Sequence, residues 1–372
     1  MSWHTCRLGD VLTLKRGHDL PTHSRQDGDV PVVSSSGITG RHKEAKAKAP
    51  GVVTGRYGTI GEVFYLEEDY WPLNTALYVI DFKGNDPRFS AYFLRNILKG
   101  YQSEKAAVPG VDRNVLHEIK VRVPDYAIQL RINEILSAYD DLIENNRRRM
   151  ALLEDSARLL YNEWFVRLRF PGYEHTRIID GVPEGWDRKT LGDLCKEIRE
   201  LVLPNSLEPD TPYIGLEHMP RRSIALNDWG KVEQVTSSKS RFRAGEILFG
   251  KIRPYFHKVG VAFVDGVASS DAIVIRPVDE KLHGLVLMTM SSDKFVAVTA
   301  QQMKEGSKMP RADWKQMQAY SVPLPPSGLL GNFDDVIQPI IAQLKSLTFA
   351  NQKLRTSRDL LLPRLMSGEI AV

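Results

Sequence analysis

Apolar residues recur at intervals of three and four along two long stretches of the chain. In the first, Ile128, Ile132, Ile135, Tyr139, Leu142, Asn146, Met150, Leu153, Ala157, Leu160 and Trp164 keep that rhythm, with one extra step of four at Asn146. In the second, Leu329, Phe333, Val336, Ile340, Leu344, Leu347, Asn351, Leu354, Leu361 and Leu365 do the same. The spacing predicts two helices with coiled-coil seams, each of about 38 residues and about 55 to 60 Å long at 1.5 Å per residue. Each starts just after proline, at Pro124 and at Pro325-Pro326, and Pro339 should kink the second by removing a backbone donor. Helices this long with a single apolar stripe need a partner in water. The economical arrangement is that they pair with each other, antiparallel, and Leu142, Asn146, Leu153, Leu160, Leu344, Leu354 and Leu361 are the candidates for helix pairing or for docking a partner.

Elsewhere the pattern shifts to short β-type runs, Val30 to Val33, Tyr78 to Phe82, Gly260 to Val264 and Ala272 to Ile275, punctuated by Gly, Pro and Asn. These runs fall in two globules that repeat one another. Leu8-Gly9-Asp10 returns as Leu191-Gly192-Asp193, and "VVTGRYGTIGEVFY" (52 to 65) is echoed by "ILFGKIRPYFHKVGVAFV" (247 to 264), Gly55 on Gly250 and Gly61 on Gly260. Further along, an offset of 201 holds without a gap: Pro109 with Pro310, Asp112 with Asp313, Pro124 with Pro325, Leu153 with Leu354, Ser156 with Ser357 and Leu160 with Leu361. A period this long indicates duplicated domains, since solenoid repeats are far shorter. The expected fold class is α+β: two mixed α/β globules (1–124 and 171–325) separated by two long antiparallel coiled-coil helices (125–170 and 326–372). A pseudo-twofold axis would relate the two copies.

Composition narrows the class only slightly. With 372 residues and 42% hydrophobic content the chain can bury more than one core, and a net charge of +4 leaves room for local basic patches but not a uniformly basic coat. Two cysteines are too few for a disulfide framework, and no apolar run reaches about 18 residues, so a cytoplasmic protein without a membrane span is expected.

Motifs for self-contained chemistry fail on inspection. Gly245 to Ile252, "GEILFGKI", approaches a phosphate loop but has Ile252 where a magnesium-ligating hydroxyl belongs, and its Ile-Leu-Phe suits a strand. "NEWF" (162 to 165) lacks the prolines of a methyltransferase clamp on a flipped base, and Pro124-Asp125 follows Glu118-Ile-Lys120 where a nuclease would have it precede. Histidines such as His18 and His23 lie in polar loop sequence without companion ligands, so no metal is expected. The run Asn145-Asn146-Arg147-Arg148-Arg149 reads first as a solvated or partner-facing helix surface.

Short loops in each globule do combine basic, polar and aromatic residues that suit phosphates and base edges. In the first copy the candidates are Ser35, Ser36, Arg41, Lys43, Arg56, Tyr57, Arg113 and Asn114. In the second they are Lys251, Arg253, Tyr255, His257, Lys258, Ser270, Lys308 and Arg311. Tight turns at the glycines of 52 to 65 would use positive φ and leave Arg56 and Tyr57 facing outward.

Two divergent globules that each begin with "LGD" and end in a proline-led long helix, together with "LEDSARLLYNEWFV" and "LRTSRDLLLPRLMSGEI", resemble the DNA specificity subunit of type I restriction-modification systems. The resemblance spans the whole chain. It implies that each globule is a target recognition domain for one half of a bipartite, asymmetric double-stranded DNA sequence. It also implies that the helices set the spacing and offer docking surface to methyltransferase (M) subunits. Catalysis would belong to partners: methyltransferase subunits using S-adenosylmethionine, and a restriction (R) subunit using ATP and Mg. This chain would hold no cofactor and would not be an enzyme. A coiled-coil adaptor without DNA contact and a self-contained DNA-modifying enzyme are the competing readings.

Overall fold

A computed structural model of the chain describes residues 3–57, 61–99, 110–301 and 310–372. It divides into two compact units: Met1–Ile143 with Lys353–Val372, and Glu144–Gln352. The boundaries fall inside the long helices, not at the prolines that open them. Each globule packs on the helical segments next to it, so each unit owns a share of both helices.

In the first unit, four antiparallel strands lie in the order Thr13–Arg16, Ala76–Asp81, Gly51–Gly55, Val63–Leu66. Alternation along a strand sends neighbours to opposite faces. Val52 accordingly joins the core that holds Phe89, Phe93 and Leu94 of the helix Pro87–Lys99, whereas Val53 joins Val33, Tyr70 and Tyr78 on the other side. That second side is covered by a three-stranded sheet of Gly37–His42, Val30–Ser34 and Trp71–Pro72, the last two parallel. Ile128, Ile132 and Leu136 of the first long helix share the larger core with Leu362, Leu365 and Met366 of the second.

The second unit repeats the plan. Its strands Cys195–Ile198, Ala272–Pro277, Ile247–Gly250 and Val259–Ala262 take the same spatial order, with Ala225–Leu226 added at the edge. Ile247 and Phe249 face one core and Leu248 the other. A parallel pair, Pro212–Ile214 with Gly266–Ala268, matches the parallel pair of the first unit. The sequence Gly245 to Ile252 thus contains a core strand and no phosphate loop.

The "LGD" turns have a structural reason. In each unit a strand ahead of the turn pairs with the strand that leads into a long helix, Trp3–Arg7 with Lys120–Pro124 and Asp187–Thr190 with Ser321–Leu324. The Leu8 amide donates to the Ile119 carbonyl at 2.9 Å and the Leu191 amide to that of Tyr320 at 2.8 Å. A Cβ on Gly9 would stand 3.1 Å from the His117 Cβ, and one on Gly192 would stand 3.1 Å from the Gln318 Cβ, so both positions favour glycine.

The first long helix runs Tyr126–Tyr161, 36 residues, and passes into a π-type turn at Asn162–Val166. The second runs Ser327–Ser367, 41 residues, and continues through the exposed Pro339. Within the second unit the Asn146 amide donates to Asn351 Oδ1 at 2.9 Å, both side chains buried, while Phe165 meets Phe333 with ring centroids 4.8 Å apart. The segments are therefore antiparallel. Two seam positions are corrected as pairing residues: Leu142 and Val336 are exposed, and their neighbours Ile143 and Ile337 are buried instead. An α-helix drifts about 20° per heptad against a strict seven-residue repeat, and the globules cover faces that a two-helix seam would leave open. Leu344 is fully buried, Leu153, Leu160, Leu354 and Leu361 half-buried.

Candidate nucleic-acid interface

In the second unit, four predicted residues come together where the strand Ile247–Gly250 ends. The Lys251 amide donates to the Asp271 carbonyl at 2.7 Å, and the Lys251 carbonyl accepts from the Ala312 amide at 2.9 Å. Next to it the Arg253 amide donates to the Pro310 carbonyl at 3.0 Å, and Ile252 bridges to Arg311. This ladder sets Lys251, Arg253 and Arg311 beside the Ser270–Asp271 turn. The Lys251 ammonium donates to the Ser270 carbonyl at 3.0 Å, and the Arg311 guanidinium lies 3.2 Å from the Asp271 carboxylate. Arg253, Tyr255, Ser270 and Arg311 are exposed.

Two neighbours turn inward, which corrects their expected place on the loop surface. His257 is buried with its Nε2 2.7 Å from the Ser291 carbonyl, and burial holds its imidazole below the ordinary histidine value. The Lys258 ammonium donates to the Leu216 carbonyl, and burial likewise lowers its pKa. The cause is backbone geometry: Arg253 and His257, at φ of 50° and 55°, flank the 3-10 turn Pro254–Phe256 in left-handed conformation, and the reversal swings the end of the loop back onto the globule.

The first unit builds the same ladder from different residues. The Arg56 amide donates to the Thr75 carbonyl at 2.9 Å, the Arg56 carbonyl accepts from the Val111 amide at 2.8 Å, and Tyr57 bridges to Gly110. The Arg56 guanidinium lies over the Tyr57 ring, 4.5 Å from its centroid, with Nη2 3.3 Å from the phenol oxygen. Arg113 and Asn114 are exposed at the start of the helix Arg113–Glu118, three residues beyond this ladder; Asp112 caps it, accepting from the Asn114 amide at 2.9 Å.

Ser35, Ser36, Arg41 and Lys43 belong to a different element, the hairpin of Val30–Ser34 and Gly37–His42. Ser36 bonds to Ser34 at 3.0 Å, Arg41 pairs loosely with Glu68 at 3.9 Å and donates to the Asp29 carbonyl, and Lys43 is exposed. Lys308 and Gly58 lie outside the described residues. Of the other opening glycines, Gly61 has the expected positive φ of 95°, whereas Gly55 closes a strand. Gly260 lies inside the strand Val259–Ala262, so its match to Gly61 is corrected: Val63 and Val259 occupy the equivalent register.

Loop composition missed Thr75 and Asp271, the residues whose carbonyls receive the Arg56 and Lys251 amides. Only the spacing from Arg56 to Thr75 and from Lys251 to Asp271, 19 and 20 residues, carried a signal for them. It also missed how this globule is held. Glu154 on the first long helix, 6% exposed, accepts from the Ser223 hydroxyl at 2.6 Å and from the amides of Ile224 and Ala225 at 3.1 and 3.2 Å. Burial raises its pKa above the ordinary value, against those hydrogen bonds and Arg158. Arg147 and Arg148 of the basic run pair with Glu144 at 3.7 and 3.2 Å.

The model of the type I restriction modification DNA specificity domain matches residues 1–155 and 183–354. The chain is similar to the type I restriction enzyme MjaIX specificity subunit of Methanocaldococcus jannaschii, 23% identical over 285 residues, which are 71% of this chain and 63% of that protein. The chain therefore spans less than two thirds of that relative. It is also similar to the type I restriction enzyme EcoDI specificity subunit of Escherichia coli, 20% identical over 353 residues, 88% of this chain and 78% of that one. In fold it is similar to the S subunit of a type I restriction-modification system from M. genitalium, with a TM-score of 0.60 at 15% identity over 98% of this chain and 96% of that one.

Proposed function

The chain belongs to the type I restriction modification DNA specificity family, and from that premise we propose that it is the sequence-reading subunit of a modification complex. Each unit reads one half of a bipartite, asymmetric duplex target. The observation that carries this reading is the shared ladder: the same backbone frame presents Arg56 and Tyr57 with Gly110 in one unit, and Lys251 and Ile252 with Arg311 in the other. Identical readers would select a palindrome; equivalent frames with unlike side chains select two unlike sequences. Basic side chains at the frame contact phosphates and fix position, while groups reaching base edges supply the sequence.

The chemistry lies with partners. Methyltransferase subunits would bring S-adenosylmethionine, a restriction subunit ATP and Mg, and the long helices offer them docking surface. The chain acts in the cytoplasm without being an enzyme itself. No helix among the described residues is long and apolar enough to cross a membrane.

Binding of the full chain to duplex DNA tests the frame. Affinity should fall steeply with salt, and Arg253→Ala should lower the slope of log affinity against log salt by about 1. Lys258→Met, whose ammonium is spent on the Leu216 carbonyl, should leave the slope unchanged. Salt-insensitive association, or equal effects of the two substitutions, would contradict the reading.

A further inference from the structure

The two ladders place a guanidinium at the same frame from different chain positions. In the second unit, Arg311 follows Pro310 and precedes Ala312, both of which are hydrogen-bonded to the Lys251–Arg253 strand end, so its Cα is fixed on both sides. Its side chain is 60% exposed and its Nη2 lies 3.2 Å from Asp271 Oδ1. Asp271 is itself held, its amide donating to Ser269 Oγ at 3.2 Å and its carbonyl accepting from Lys251. In the first unit the position of Arg311 is taken by Gly110, where a Cβ would come within 2.8 Å of the Tyr57 ring. An arginine has no room there while Tyr57 keeps its place. The guanidinium comes instead from Arg56, whose Cζ lies over that ring at 4.5 Å from its centroid and whose Nη2 is 3.3 Å from the phenol oxygen.

A carboxylate on a surface meant for DNA is costly for phosphate contact, because it repels the backbone it faces. It is useful where an arginine must be aimed. A guanidinium braced at one edge keeps its remaining N–H groups in a fixed fork, the geometry that matches O6 and N7 of guanine, whereas a free arginine settles on phosphates. An aromatic face braces the same plane by stacking. We propose that Arg311 braced by Asp271, and Arg56 braced by Tyr57, are the guanine-reading side chains of the two half-targets. Asp271 and Tyr57 are the positioning residues. This rests on the DNA-reading function proposed above.

Enrichment of bound sequences from a pool of random duplexes, with the full chain as bait, tests both levels separately. The wild-type chain should enrich two blocks, each with at least one guanine. Arg311→Lys keeps the charge but loses the fork. It should reduce the preference for one guanine in one block by about tenfold or more and leave the other block intact. Arg56→Lys should do the converse. Asp271→Asn should weaken the same guanine preference as Arg311→Lys while binding to scrambled duplex stays equal or rises, since a negative charge has gone; a merely structural role would lower both together. Unchanged motifs in both lysine variants would overturn this assignment while leaving the DNA-reading function standing. Parallel loss of cognate and scrambled binding in Asp271→Asn would overturn the brace. Failure of the wild-type chain to enrich any motif would overturn the underlying function.

Discussion

Glu154 illustrates what a single buried group does in this fold. Its carboxylate closes the amides of Ile224 and Ala225 and the hydroxyl of Ser223, so the segment before the strand Ala225–Leu226 is tied to the first long helix. Glu154→Ala leaves those donors without that acceptor and should cost about 2 to 3 kcal/mol in urea unfolding, with Glu154→Gln costing much less. The pH dependence has a definite sign. Because burial raises the folded pKa, this group's stabilising share is complete below the ordinary glutamate range and is lost as pH rises through the raised value. The glutamine variant, which does not titrate, should therefore gain on the wild type across that window. The placement of the candidate residues was only half legible in the sequence. Loop composition nominates cations but not their direction: Arg253 and Arg311 face solvent, while His257 and Lys258, four and five positions from Arg253, are spent on carbonyls. The left-handed backbone that turns them was invisible because neither flanking residue is glycine.

At the scale of elements, periodicity was the reliable guide. Both long helices, their proline-led starts and a few core strands, among them Val30–Ser34, Ala76–Asp81, Ile247–Gly250 and Ala272–Pro277, were readable. The seam was displaced by one residue at Leu142 and Val336, because a heptad template assumes a two-helix contact and these helices are also walled by globules. Asn146 and Asn351 stayed on the stripe for a reason the pattern does not state: they bond to each other in the core of the second unit. Asn146→Leu should orphan Asn351 and destabilise this unit by about 1 to 3 kcal/mol, and adding Asn351→Leu should recover most of the loss. Stability is the readout, and additive losses in the double variant would mean that the pair is not coupled. The Gly9 and Gly192 turns belong to the same scale, since each locks an "LGD" turn beneath the strand that enters a long helix.

For the whole molecule, the duplication carries the functional argument. A fixed offset of 201 in the sequence became two units with the same strand order, the same parallel pair and the same ladder below the candidate loops. The offset already sets Gly110 against Arg311; what it could not show is that Thr75 and Asp271 hold equivalent places, because the loops ahead of them differ in length. Those differences are where two unlike half-targets would be specified. The most direct test is the pattern of methylated bases in DNA from cells that express this chain with its methyltransferase subunit. Two unlike short sequences at a fixed separation are expected. A palindrome, or one uninterrupted sequence, would contradict a chain built of two different readers.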